Sequence, residues 1–193
     1  NTTGLMLMIV ENVEVTNNTI LRQLALNSIG LYIYDVKNAV IHNNEFLENT
    51  VATVWHNVTD TKFEQNLFQA NSTVVQATKS PEVVLRDNVM IGNILVARSD
   101  KVGFQLIQNE YDDYSGYDFD QNDIGDTPYE TYTSFGQWMV RKPVYQYFIE
   151  SPSVVLLNKM DASSQTTDQT ILTDDEPVMP KTNSDAFKWN PQW

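Results

Sequence analysis

Four oxygen-bearing side chains, Asp118, Asp120, Asn122 and Asp126, stand at positions 1, 3, 5 and 9 of the stretch "DFDQNDIGD". Spacing by two turns such side chains to the inside of a tight loop. A ring of hard oxygen donors there suits a hard cation such as Ca²⁺. Two positions depart from the Ca²⁺-loop pattern: the sixth is Asp123 rather than Gly, and the twelfth is Tyr129 rather than Glu. The same residues also read as an Asx-rich capping turn with solvated acids. Copper chemistry must draw on other groups. The chain has no Cys, so thiolate sites and Cys nucleophiles are excluded, leaving two His and six Met as soft or borderline ligands. Met179, in "EPVMPK", is the Met hardest to assign to a core and is the weak copper candidate.

These residues are carried by a repeat. "VENVEVTNNTI", "VKNAVIHNNEF", "VTDTKFEQNLF", "SPEVVLRDNVM" and "DKVGFQLIQNEY" align on Asn18, Asn44, Asn66, Asn88 and Asn109, with separations of 26, 22, 22 and 21 residues. The long first interval implies an insertion near "RQLALNS". Three before the anchor stand Val15, Ile41, Phe63, Leu85 and Leu106, and two after it Ile20, Phe46, Phe68, Met90 and Tyr111. Thirteen before it stand Leu5, Leu31, Thr53, Val75 and Val96; five after it stand Asn49, Asn71 and Asn93. Apolar and polar columns alternate, the period-2 signature of strands.

Short strands at a fixed period with Asn at the corners mean stacked coils. Asn tolerates the left-handed conformation a corner needs, and its amide can bond to the Asn of the next coil. The expected fold is all-β: a right-handed parallel β-helix of about 22 residues per coil, rising about 4.8 Å per coil. Residues 1–110 form the coils, 111–130 an acidic capping loop, 131–160 a partly helical cap or docking segment, and 161–193 a linker and tail. The chain begins on a strand-like stretch, so earlier coils are expected before residue 1.

The coils constrain the chemistry. Two before the anchor stand Thr16, His42, Glu64, Arg86 and Ile107, where Glu64 and Arg86 read as an exposed ion-pair ladder. The outward columns hold no dense acid patch, so paired-carboxylate hydrolysis has little to work with. No nucleophile elbow or glycine-rich phosphate loop occurs. Met8, Tyr34, His56 and Thr78 share a column, which sets Met8 and His56 two coils apart, about 9.6 Å. Met6 is assigned to the opposite face of its strand. The net charge of −13 opposes nucleic-acid binding. No apolar run is long enough to span a membrane.

From Asn109 to Tyr129 the chain resembles the NosD family. Its motif is matched at Asn109, Tyr111, Asp113, Tyr114, Gly116, Asp118, Asp120, Ile124, Gly125, Asp126, Pro128 and Tyr129. Asn122 and Asp123 stand where the family commonly has Asp-Gly. "VRKPVYQYFIESPSVVLL" and "DEPVMPK" are similar to the family's later segments. The resemblance implies a periplasmic, non-enzymatic accessory protein of nitrous oxide reductase maturation, a step of denitrification. Its implied partners are the membrane subunit of an ABC transporter, a small copper-binding lipoprotein and the apo-enzyme. Copper would be carried transiently, with no organic cofactor. A carbohydrate-binding or carbohydrate-cleaving β-helix and a structural surface protein are the alternatives.

Overall fold

The structure is a computed structural model that describes residues 2–25, 28–100, 102–131 and 172–181. Each coil has three faces. The first face stacks the leading parts of β1 (Thr3–Thr16) and β3 (Ile29–His42) with β5 (Val51–Thr59), β8 (Thr73–Thr78) and β11 (Leu95–Ser99). The second stacks the trailing parts of β1 and β3 with β6 (Thr61–Glu64), β9 (Val83–Arg86) and β12 (Gln105–Ile107). The third stacks β2 (Thr19–Leu21), β4 (Glu45–Leu47), β7 (Leu67–Gln69), β10 (Val89–Ile91) and β13 (Glu110–Tyr111). Every neighbour pair within these stacks is parallel. The described residues contain no helix, and the all-β solenoid of about five coils expected from the repeat is the fold observed.

Alternation explains the interior. Val15, Ile41, Phe63, Leu85 and Leu106 form one buried column, and Ile20, Phe46, Phe68, Met90 and Tyr111 another. Identical positions on successive coils lie one strand spacing apart, so Phe46 stacks on Phe68 at 4.8 Å, while Trp55 and Phe63, on adjacent faces of one coil, meet across the interior at 4.7 Å. Phe104 meets Trp55 edge-on at 4.9 Å.

The anchors Asn44, Asn66, Asn88 and Asn109 are buried and, with the exposed Asn18, are joined in a ladder. The backbone N–H and the Nδ2 of Asn44 both donate to Oδ1 of Asn66, at 3.0 and 3.1 Å, and Asn66 does the same to Asn88 at 3.0 Å each. Each buried anchor amide also donates to a main-chain carbonyl of the coil before, as Asn66 Nδ2 does to Ile41. Asn49, Asn71 and Asn93 build a second ladder of the same design. The corner conformation falls elsewhere than expected. Left-handed φ belongs to the residue before each anchor: Asn17, Asn43, Gln65, Asp87 and Gln108. Before the second ladder it belongs to Arg22, Glu48, Ala70 and Gly92. The anchor is kept for the inward turn, where its amide saturates backbone groups that would otherwise be buried without partners. The corner residue faces solvent and varies in type.

Two register details refine the repeat. Val75 pairs with Ala97, not Val96. The first face runs at a spacing of 22 from β8 to β11 (Thr73↔Leu95), whereas β9 to β12 runs at 21 (Leu85↔Leu106). The missing residue therefore lies between the two faces, and counting back from Asn109 misaligns the first. The insertion in the first interval lies between Gln23, whose N–H donates to Asn49 Oδ1, and Ser28, whose carbonyl accepts the N–H of Val51. Glu64 and Arg86 are register neighbours, yet no ion pair joins them. The ion pairs among the described residues are Arg22–Glu48 and Lys37–Asp60, and the His42 ring contacts the Glu14 carboxylate.

Nearly all of the segment 131–160, expected to be a partly helical cap, lies outside the described residues, as do 161–171 and 182–193. Residues 172–181, expected within the linker and tail, are instead built into the end of the solenoid. β15 (Thr173–Asp174) pairs parallel with β12 and antiparallel with β14 (Tyr129–Glu130).

Candidate functional site

The last coil ends on Asn109 and Tyr111, and something must replace the next rung. Val178 supplies the backbone part: its N–H donates to the Asn109 carbonyl at 3.0 Å, the role Glu110 plays for Asn88. That register puts Pro177 at the anchor position, and Pro has neither an N–H nor an amide. Asp174, three residues earlier and in register with Leu106, compensates. Its carboxylate is fully buried. Oδ2 accepts the N–H and Nδ2 of Asn109 at 2.9 and 3.1 Å and the Tyr111 hydroxyl at 3.0 Å. Oδ1 accepts the N–H groups of Gln108 and Glu176. Burial, then the Asp174 charge, pushes the Tyr111 phenol well above its usual value, so it stays a donor.

Met179 then stands two after the anchor position, continuing the column that ends in Tyr111, and it packs against the core. Its N–H donates to the Asp123 carbonyl at 2.9 Å. The Met that sequence reasoning could not place in a core is thus the last member of a core column. The signal was present: Leu106-x-x-Asn109-x-Tyr111 and Asp174-x-x-Pro177-x-Met179 share one frame. The substitutions of Leu by Asp and Asn by Pro conceal it.

Residues 111–130 wrap this end. Tyr111 stacks on Tyr129 at 3.7 Å. Tyr114 is buried and its hydroxyl donates to the Thr127 carbonyl at 2.6 Å. Gly116 and Gly125 flank that ring so closely that an added Cβ would lie 2.1 and 2.0 Å from the Tyr114 oxygen. Most of the motif is therefore a packed terminator.

The acids project from it. One carboxylate oxygen each from Asp118, Asp120 and Asp126 lies within 4.8 Å of the others. Asp118 accepts the N–H groups of Asn122 and Asp123 at 3.2 and 3.0 Å, and Asp126 that of Phe119 at 2.6 Å. Asn122, predicted as a fourth ligand, turns its Nδ2 to Asp120 and its Oδ1 to the N–H of Ile124. Its donor atom faces the cluster, so it stands as a brace for Asp120. Asp123 adopts φ of 66°, the conformation that a Gly meets freely. Asp120 is raised above the ordinary carboxylate value by desolvation first, then by Asp118 and Asp126. Three carboxylates converging at the surface form an oxygen-only donor set, fit for a hard cation and unfit for Cu(I).

The remaining candidates lie on the coils. His42 bonds Glu14 at 2.7 Å and Asn43 at 2.9 Å. Met8, Tyr34, His56 and Thr78 share the expected column, and Tyr34 stacks on His56 at 5.2 Å. Met6 does not lie opposite Met8: residues two apart on a strand share a face, and both are exposed while Leu5 and Leu7 pack on the core.

Stacked parallel coils, paired Asn ladders and a sealed C-terminal end define a solenoid protein, and the comparison with known families agrees. Residues 1–124 match the family described as right-handed beta helix region, and the chain belongs to it. No curated protein matches the chain. No helix among the described residues is long and apolar enough to cross a membrane.

Proposed function

We propose that the protein is a NosD-like, non-enzymatic periplasmic scaffold that helps deliver copper to nitrous oxide reductase. It works beside an ABC transporter membrane subunit and a small copper-binding lipoprotein. The observation that carries the reading is the pairing of two family-like segments. The motif from Asn109 to Tyr129 and the tail around "DEPVMPK" resemble the NosD family separately, and in this chain they meet on one coil through Asp174 and Val178. A pairing of that kind is what a shared terminator requires. The test is a strain lacking the protein: its nitrous oxide reductase is expected to be copper-poor, and the transporter is expected to co-purify with the tagged chain. A fully metallated enzyme in that strain overturns the reading. Turnover of a uronate polymer by the purified chain would instead favour the carbohydrate alternative.

The acidic loop carries a separate proposal within this reading. Asp118, Asp120 and Asp126 would hold Ca²⁺, with backbone carbonyls or water completing the shell, and the ion would brace the terminator rather than take part in copper transfer. Unfolding midpoints that are unchanged by Ca²⁺ and by EGTA would remove it.

A further inference from the structure

The loop's oxygen donors do not suit a soft ion; side chains that do lie on the coil surface. On β1, Met6 and Met8 both point outward and are 50% and 46% exposed. Register places Met6 in line with Tyr32, Val54, Gln76 and Arg98, and Met8 in line with Tyr34, His56 and Thr78. Later coils fill these same positions with Gln, Thr and Arg. The fold therefore sets no demand for an apolar residue there, and packing does not explain two methionines.

Their geometry suits one ion. Residues two apart on a strand are separated by about 6.6 Å along it. Each thioether sits on a side chain with three rotatable bonds, so both sulfurs can converge on one centre. Thioethers are soft ligands that select Cu(I) among biological metals. Aromatic rings adjoin them: Tyr32 and Tyr34 are the register neighbours, with centroids 6.4 Å apart. Such faces attract a cation and contact sulfur favourably. His56 does not close the shell from its own coil, because Tyr34 lies between it and Met8 and stacks on its ring.

We infer that Met6 and Met8 form an open two-thioether site for Cu(I) on the outward face of β1. Two ligands leave coordination positions free for a donor or acceptor protein, so the ion can pass by ligand exchange, with no redox change. The assignment of Cu(I) as cargo rests on the copper-delivery reading; the thioether pair itself does not.

The test uses the whole chain labelled with ¹³C at its methionine methyl groups, titrated with Ag(I) as a redox-inert probe and then with Cu(I) under reducing conditions. The Met6 and Met8 signals are expected to shift together and saturate at one equivalent. Those of Met90, Met139, Met160 and Met179 should stay. Met6→Leu/Met8→Leu, a surface change, should keep the thermal unfolding midpoint and lose at least tenfold in affinity against a chromophoric Cu(I) chelator. Shifts at other methionines, or undiminished affinity in the double variant, overturn the inference. Cells separate this from the delivery reading. If Ag(I) binds as described and deleting the whole protein leaves nitrous oxide reductase fully metallated, the site stands and the delivery reading falls. If Ag(I) does not bind this pair and the deletion strain is copper-poor, the site falls and the delivery reading stands.

Discussion

The Asn66 rung and the Asp118–Asp126 loop are made from the same kind of part, a short side-chain oxygen accepting backbone N–H groups, yet they behave as opposites. Asn66 is buried, neutral, and joined to the coil before and the coil after. The loop carboxylates are largely solvated, charged, and satisfied within their own turn. A neutral amide can be both donor and acceptor, so it propagates from coil to coil. A carboxylate only accepts, so it can end a ladder but cannot continue one. Asp174 stands between the two: it is a carboxylate, but a buried one, placed where the ladder stops.

That contrast can be broken in order of size. Asp174→Ala leaves five donors without their acceptor and should lower the stability of the fold by about 4 kcal/mol in chemical denaturation. Asp174→Asn should cost clearly less, because one acceptor oxygen remains. Asn66→Ala should cost about 3 kcal/mol, since the N–H and amide of Asn44 lose their acceptor inside the core. Asn18→Ala, at an exposed rung, should fall below about 1 kcal/mol in the same measurement. Equal losses for Asn66 and Asn18 would mean that burial does not set the rung's worth. In the loop the sign reverses. Asp123→Gly relieves a left-handed Asp and should raise stability by about 1 kcal/mol, seen as a higher unfolding midpoint.

The smallest effect is the pH response of Asp120. Its pKa is raised in the folded chain, by desolvation and then by Asp118 and Asp126, so the native loop holds that proton more tightly than the unfolded chain does. Its favourable contribution is complete below the unfolded value and is lost as pH rises through the folded one. Asp120→Asn should flatten this dependence in EGTA, measured as the slope of unfolding midpoint against pH. An unchanged slope would mean that Asp120 holds its proton no more tightly in the native loop than in the unfolded chain.

Much of this was legible because a solenoid writes its tertiary contacts into its period. The columns through Phe63 and Phe68 and both Asn ladders could be read from spacing, since residues one coil apart in sequence are one strand spacing apart in space. Legibility failed where the period broke. One deleted residue moved Ala97 into the column that counting assigns to Val96. The three-acid cluster was readable from alternation, but the direction of the Asn122 amide was not, because an amide chooses its partners only after the loop has closed.

The sequence by itself determined the coil, its period, its inward columns and the place where the array stops, because alternation and a repeated Asn are local facts. Only the tertiary structure decided how it stops. Asp174 lies 65 residues beyond Asn109, and Met179 completes the Tyr111 column after a long excursion. No spacing rule links such positions. Asp174 and Met179 were chosen by the unfilled acceptor and the uncovered apolar surface that the last coil presents.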